Sequence, residues 1–268
     1  MTQMSESFRY KLIIEYDGTN FSGWQRQNDA RTVQGDLIKV TQRIFPGTSV
    51  DIQGCGRTDA GVHALEYTAH LEMDRDIAAS ELSRFFNDQL PKDIAVRRVQ
   101  KAGPRFHARH NCVARCYIYY LSTRKSAFGK RYSWWVRDSL DIKAMQGAAD
   151  CMVGFRDFVS LAEKPELKKS TKALVHAVQL VEEDGKLSVR VVGSHFLWRM
   201  VRRMVGLLVE VGCGRLTVSD IENILTTSSK VPQGHTAPAA GLFFEKAFYN
   251  DEELQRFISP IEAIGSGS

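Results

Sequence analysis

The stretch "VDIQGCGRTDAGVHALEYTAHLEM", residues 50–73, is interpreted as two strands joined by a glycine-rich turn. Strands are predicted over 50–56 and 65–73, because β-branched and apolar residues alternate there with polar ones. The turn between them carries Asp59. In one interpretation this aspartate belongs to an ordinary Asx-type turn. In the other it is an ionised nucleophile, kept in its carboxylate form by the neighbouring Arg57 guanidinium. The local residues leave both interpretations open.

Several common catalytic patterns are absent from the sequence. The spacing of Gly54, Gly56 and Gly61 is not that of a dinucleotide-binding fingerprint, and no phosphate-binding loop, HExxH or GxSxG motif occurs. Glycoside hydrolysis usually needs two carboxylates, and no clear partner for Asp59 can be assigned. A single aspartate accompanied by arginines suits a reaction without a metal or redox cofactor, such as an isomerisation through a covalent or tightly held intermediate.

The elements on either side of this stretch repeat in order. The first half predicts strands over 10–16 and 94–100, a helix over 32–45 capped by Thr32, and a helix over 78–90 with Ser80 as a possible cap. The second half predicts strands over 116–122, 173–183, 186–193 and 241–249, a turn over 183–186, and helices over 140–154 and 195–212.

This order predicts an α+β fold made of two β-α-β-β-α-β halves, the plan shared with ferredoxin-like and RNA-recognition folds. Their antiparallel sheets are expected to meet around a central cleft. Gly103 and Pro104 favour a boundary there. The predicted division is therefore 1–104, 105–250 and a C-terminal tail over 251–268.

Composition places the chain among ordinary globular proteins. It has 268 residues, of which 43% are hydrophobic and 25% charged, with a formal net charge of +5. No run approaches the ~20 apolar residues that span a membrane, and no apolar segment near the N-terminus indicates a signal peptide. The five cysteines are scattered without a CxxC pair, so neither a zinc site nor a disulfide framework is expected, and a reducing cytoplasm fits best.

Positive charge is concentrated in one block. Residues 97–137 contain eleven Lys or Arg and no Asp or Glu, with eight Phe, Tyr or Trp interspersed. Cations suit phosphates and aromatic rings suit unstacked bases, so the block favours binding to partly unstacked RNA. A basic face on an ordinary sheet is the alternative. A second basic run, from Lys164 to Lys172, is either a loop near RNA or a solvated segment.

The predicted helix over 195–212 carries three arginines on one face. Arg199, Arg202 and Arg203 follow the i, i+3, i+4 spacing, opposite an apolar stripe. One interpretation is a solvated face paired with nearby acids. The other is that one arginine partners a carboxylate in the cleft and the others bind phosphate.

Taken together, the motifs of the chain resemble one family. They occur in order as "YDGTNFSGWQRQ" (16–27), "GRTDAGVHA" (56–64), "FHAR" (106–109), the Arg115, Tyr117, Tyr119 pattern, "GFRDFVS" (154–160), "FLWRMVR" (196–202) and "TAPAAGL" (236–242). From Phe8 to Tyr249 the chain is similar to the TruA family of tRNA pseudouridine synthases.

The resemblance implies a pseudouridine synthase fold and conversion of uridine to pseudouridine at positions 38, 39 and 40 of the tRNA anticodon stem-loop. It also implies no cofactor, no metal and a homodimer in the cytoplasm.

The resemblance also assigns the site residues. Asp59 matches the nucleophile and Arg202 its ionic partner. Tyr117 matches a tyrosine that stacks on uracil and serves in proton abstraction. Arg57 matches the arginine that enters the stem, and Leu242 an apolar wall of the pocket. Arg109 and Arg115, in matching motifs, are assigned to RNA binding. Arg199 and Arg203 stand where the family usually has less basic residues, and they are expected to strengthen phosphate binding.

Two other functions stay open at this stage. A non-catalytic RNA-binding or chaperone module would use the same basic cleft, and an RNA N-glycosidase would release free uracil. His63, close to Asp59, invites a general-acid role, but a satisfied hydrogen-bonding residue that supports the loop is expected instead.

Overall fold

A computed structural model describes residues 7–164, 170–183 and 185–259. The strands are β1 (Phe8–Tyr16), β2 (Val50–Gly54), β3 (His63–Met73), β4 (Ile94–Ala102), β5 (Ala114–Ser122), β6 (Trp134–Trp135), β7 (Gly154–Asp157), β8 (Lys172–Glu183), β9 (Lys186–Gly193) and β10 (Leu242–Phe248). The helices are α1 (Val33–Ile44), α2 (Ala79–Gln89), α3 (Ile142–Cys151), α4 (Met200–Gly212), α5 (Val218–Thr226), α6 (Val231–Gly234) and α7 (Asp251–Ile258). The mixed α+β class is confirmed.

Ten strands form one sheet. Its order is β4-β1-β3-β10-β5-β9-β8-β7, with β2 paired to β3 and β6 to β5. The first half thus has the order β4-β1-β3-β2, and the second half has the corresponding order β10-β5-β9-β8. The two parts meet where β10 pairs in parallel with β3, placing Phe243 opposite His63.

The sequence explains the elements of the first half directly. Alternate β1 residues Tyr10, Leu12, Ile14 and Tyr16 are buried, as period-2 patterning predicts. Thr32 caps α1 by accepting a hydrogen bond from the Gly35 N–H. The predicted Ser80 cap is wrong, because α2 begins at Ala79 and Ser80 lies inside its first turn. The N-cap residue, Ala78, offers no capping side chain.

The predicted helix over 195–212 is also wrong at its start. The observed helix α4 begins at Met200, and residues 195–199 belong to the connection from β9. Arg199 adopts a left-handed conformation with φ 61°, which turns the chain into the helix. The start of this connection is fixed by tertiary contacts, including a 2.8 Å hydrogen bond from Ser194 N–H to the Leu174 carbonyl.

Residues 251–258 of the predicted C-terminal tail form the helix α7. Asn250 caps this helix, and Leu254 is buried beside Phe248. Some predictions fall on residues outside the described ranges. These are residue 184 of the predicted turn, Lys168 and Lys169 of the second basic run, the tail from 260 onward, and residues 1–6 of the predicted first half. Within the described part, no helix combines the length and apolar character required to cross a membrane.

Candidate active site

Asp59 lies in the loop between β2 and β3, as the sequence predicts. The loop is tied to the sheet below it, because Cys55 N–H donates to the Thr68 carbonyl at 2.9 Å and the Tyr67 hydroxyl donates to the Gly56 carbonyl. Within the loop, Val62 N–H donates to the Asp59 carbonyl at 3.2 Å. These bonds fix the backbone on both sides of the aspartate.

A second segment, residues 16–24, packs against the same loop. The Tyr16 hydroxyl and the Thr58 hydroxyl share a 2.8 Å hydrogen bond, and Trp24 N–H donates to the Thr58 carbonyl at 3.2 Å. Gly23 has a φ of +91°, and a Cβ there would lie 2.4 Å from the Thr58 carbonyl oxygen. Only glycine allows this approach. The motif at 16–27 was recognised from the sequence, but its role in supporting the Asp59 loop was not.

The structure brings Asp59 and Arg202 together. Arg202 Nη1 lies 3.3 Å from Asp59 Oδ2, and both side chains are largely shielded from solvent, at 15% and 22% exposed. Arg202 is fixed in turn by Ala237, whose carbonyl accepts from Arg202 Nε at 2.7 Å and whose N–H donates to the Arg202 carbonyl at 3.0 Å. A cation held in this way forms an ion pair with the Asp59 carboxylate in a site that is largely shielded from solvent.

Tyr117 reaches the same region from β5. Its ring is buried and contacts Phe196 and Phe244 edge to face, at centroid distances of 5.3 and 5.2 Å. Burial raises the pKa of the Tyr117 phenol above its ordinary range, with smaller contributions from Cys55 and Asp59. Burial thus favours the protonated form of this phenol.

Leu242 is buried at the start of β10, where it pairs in register with Tyr119. The hydroxyl of Tyr119 donates to the Pro238 carbonyl at 2.8 Å. This contact connects β5 to the segment that also holds Arg202.

The predicted RNA-binding arginines fall into different environments. Arg57 and Arg109 are exposed, and neither forms an ion pair within the described residues. Arg199 is 39% exposed, with its Nη1 3.8 Å from Glu163 Oε1. Arg115 is partly buried and donates only to backbone carbonyls.

The environment of Arg203 differs from the prediction that it binds phosphate beside Arg199. Its side chain is 2% exposed and forms an ion pair with Glu163, so it cannot reach a phosphate on the surface. Burial lowers the pKa of Arg203 from its ordinary value. Arg202 and Arg203 are adjacent in the sequence but contact different acids, Asp59 and Glu163.

His63 supports the loop. It is buried, its Nδ1 accepts from Gly18 N–H at 3.0 Å, and its Nε2 lies 3.1 Å from the Arg131 carbonyl. Nδ1 also lies 3.1 Å from Asp17 Oδ1, so both ring nitrogens have polar neighbours. Burial lowers the pKa of His63, so the ring is neutral at physiological pH. Both nitrogens are used, as expected for a structural histidine.

A family model described as "tRNA pseudouridine synthase" matches residues 12–111 and 148–250. The chain belongs to the tRNA pseudouridine synthase family. It is an isomerase that converts uridine in tRNA to pseudouridine. The matched ranges include Arg57, Asp59, Arg202 and Leu242, whereas Tyr117 lies between them.

Similarity over most of the chain agrees with this assignment. The chain is 38% identical over 239 residues to "tRNA pseudouridine synthase A 2" of Bacillus cereus, covering 88% of this chain and 97% of that protein. It is 39% identical over 250 residues to "tRNA pseudouridine synthase A" of Geobacillus kaustophilus, covering 92% and 96%. For the protein of that name from Maridesulfovibrio salexigens the identity is 38% over 247 residues, covering 91% of each. The TruA family predicted from the motifs is thereby confirmed for this tRNA pseudouridine synthase.

Within the described residues of this synthase, no group of three or more His, Cys, Asp or Glu side chains is arranged to hold a metal ion.

Proposed function

We propose that this enzyme isomerises uridines 38, 39 and 40 in the anticodon stem-loop of tRNA, with Asp59 as the nucleophile. The observation that carries the proposal is the 3.3 Å pair between Asp59 and Arg202, two residues 143 positions apart in the chain. The fold places a carboxylate and its cation in one partly shielded site, where charge interactions are stronger than in bulk water.

The reaction breaks the bond from uracil N1 to the sugar C1′ and forms a bond from uracil C5 to the same carbon. C5 loses a proton and N1 gains one, so substrate and product have the same atoms and no electrons are exchanged. Asp59 holds the reacting nucleotide through a covalent or tightly held intermediate. Exclusion of water protects the detached base, and confinement favours its rejoining the sugar.

A uridine inside a stem must first leave the stack, at a cost of a few kcal/mol. We assign Arg57 to the vacated space, because it lies two residues before Asp59 and its side chain is exposed. A buried Tyr117 ring and the Leu242 side chain then form an apolar wall for the extruded base.

The basic block supplies an outer RNA-binding surface in this proposal. Phe128 is 88% exposed and Trp135 is 42% exposed, with Lys125 Nζ 5.4 Å from the Trp135 ring centre. The same connection is anchored next to the site, because the Arg131 carbonyl contacts His63. Stacking on such rings contributes about 1–3 kcal/mol per base.

The finer aspects of the assembly also belong to this proposal. The corresponding strand orders of the two halves support a duplication, with the RNA bound in a cleft between them. The homodimer rests on the family resemblance. The cytoplasmic location is supported by five free cysteines.

The test is incubation with unmodified tRNA followed by pseudouridine mapping at single-nucleotide resolution. The wild type is expected to modify positions 38–40, and Asp59→Asn to bind tRNA without modifying it. Asp51→Asn is the matched control, because Asp51 is an exposed carboxylate on the neighbouring strand β2. Pseudouridine formed at other positions would refute the stem-loop assignment, and equal activity of Asp59→Asn would refute the nucleophile. Release of free uracil would favour the N-glycosidase alternative.

A further inference from the structure

Arg115 donates all five of its side-chain N–H groups to main-chain carbonyls. Its Nε and one Nη2 hydrogen are directed at the Cys55 carbonyl, at 3.2 and 2.9 Å. The other Nη2 hydrogen reaches the Arg109 carbonyl at 3.1 Å. Nη1 donates to the carbonyls of Ser194 at 2.6 Å and Cys112 at 3.4 Å. No carboxylate forms an ion pair with Arg115 within the described residues.

These carbonyls belong to three segments that carry the site. Cys55 lies four residues before Asp59, at the start of its loop. Ser194 lies in the connection from β9 that leads into α4 and Arg202. Arg109 and Cys112 lie in the connection from β4 to β5. One guanidinium therefore joins the Asp59 loop to the chain that leads to Arg202.

The residue type suits this role. A guanidinium is planar, stays charged and presents five donors in a fixed fork, whereas an ammonium has three donors and no fork. Because every Arg115 donor is already used within the chain, none is left for a phosphate oxygen. This differs from the RNA-binding role that the family resemblance assigned to Arg115.

We propose that Arg115 is a positioning residue that fixes the Asp59 loop relative to the Arg202 segment. The inference rests on the proposed function in that Asp59 and Arg202 are taken as the catalytic pair. Arg115 touches neither the reacting atoms nor RNA; it acts through the backbone of Cys55 and Ser194.

Arg115→Lys is the first test. It keeps the charge but loses the fork. The single-turnover rate at saturating tRNA is expected to fall about 100-fold, because a displacement of about 1 Å costs that much in a positioned site. The Kd for tRNA and its salt dependence are expected to stay within about twofold, since phosphate contacts set both. The control is Arg156→Lys, at another partly buried arginine whose Nε donates to the Val153 carbonyl at 3.1 Å, outside the site.

Amide hydrogen exchange tests the same role without using activity. In Arg115→Lys, exchange is expected to rise at least tenfold in both 55–62 and 194–199, while peptides of α3 exchange as in the wild type. Unchanged exchange in the two segments would overturn the proposal. An equal rise in every peptide would make Arg115 a residue of general stability and would also overturn it.

The two proposals can fail separately. If Arg115→Lys changes the tRNA Kd and the salt slope but not the rate at saturating tRNA, Arg115 is an RNA-binding residue and the positioning proposal is refuted. A wild type that forms no pseudouridine at positions 38–40 would refute the proposed function, and the exchange measurement would still decide the positioning role.

Discussion

Gly206 in α4 lies against the backbone that holds Arg202. A Cβ at this position would lie 1.6 Å from the His235 carbonyl oxygen and 2.7 Å from its carbon, in the segment that leads to Ala237. Real Cβ contacts are not shorter than 3.0 Å, so in Gly206→Ala the carbonyl must move by about 1.4 Å. Ala237 follows two residues later and bonds Arg202 at both its N–H and its carbonyl. The substitution therefore disturbs the partner of Asp59 without altering either residue.

The sign of the change in unfolding free energy distinguishes the effect of this steric contact from the effect of helix propensity. Replacing glycine by alanine inside a helix normally stabilises it by about 1 kcal/mol. Here overpacking against a backbone carbonyl costs about 1–3 kcal/mol, and weakening two hydrogen bonds to a charged residue adds about 1–3 kcal/mol. The net expectation for Gly206→Ala is a loss of about 3 kcal/mol in unfolding free energy. The single-turnover rate is expected to fall about 100-fold, through displacement of Arg202.

Gly147→Ala is the matched control. Gly147 also lies inside a helix, α3, but its Cβ would meet only the Val218 Cγ2 at 3.5 Å, an ordinary contact. This variant is expected to be about 0.5–1 kcal/mol more stable than the wild type, with full activity. Urea unfolding and pseudouridine formation at saturating tRNA measure both effects. A Gly206→Ala variant that is stabilised like Gly147→Ala and fully active would refute the reasoning.

Four further outcomes are expected. Arg199→Ala weakens tRNA binding and reduces the slope of log affinity against log salt concentration by about 1, and an unchanged slope would remove Arg199 from the phosphate contacts. Arg203→Met leaves that slope unchanged but lowers the unfolding free energy by about 1–3 kcal/mol, because Glu163 loses its buried partner and keeps only the 3.8 Å contact to Arg199; wild-type stability in urea would contradict this. Phe128→Ala raises the tRNA Kd about 5- to 150-fold by binding titration, whereas Phe155→Ala, at another ring that is 70% exposed, does not; equal effects would argue against stacking at Phe128. Burial lowers the pKa of His70 to about 4. Between about pH 6.5 and pH 4 the unfolded chain binds a proton that the folded chain does not, so the unfolding free energy falls by up to about 3 kcal/mol as the pH falls through this range. His70→Gln should flatten this pH dependence in urea unfolding.

The first half of the fold could be predicted because its signals are local. Alternation of buried residues marks β1, and a threonine cap with an apolar stripe marks α1. Gly23 and the glycines of the Asp59 loop likewise indicate, from the local sequence, turns or close approaches of the backbone. What these glycines approach was not predictable, since the carbonyl of Thr58 comes to Gly23 only through the pairing of distant strands.

The start of α4 could not be predicted from periodicity. Residues 195–199 continue the apolar and basic pattern of the helix, so the sequence favours one long helix. Tertiary hydrogen bonds override this preference, because Arg115 holds the Ser194 carbonyl and Glu163 N–H donates to the Trp198 carbonyl at 2.9 Å. The α7 helix was missed although Asn250 and Glu253 form an N-terminal capping signal.

The sequence by itself determined the family, the reaction and the loop that carries Asp59, because motifs and turn residues act within a few positions of one another. The tertiary structure alone decided the surroundings of each arginine. Arg202 contacts Asp59, Arg203 is buried with Glu163, and Arg115 gives all its donors to backbone carbonyls. An arginine has the same charge and the same donors in each case. Its role depends on which oxygen atoms the fold brings within about 3 Å, and those atoms come from distant parts of the chain.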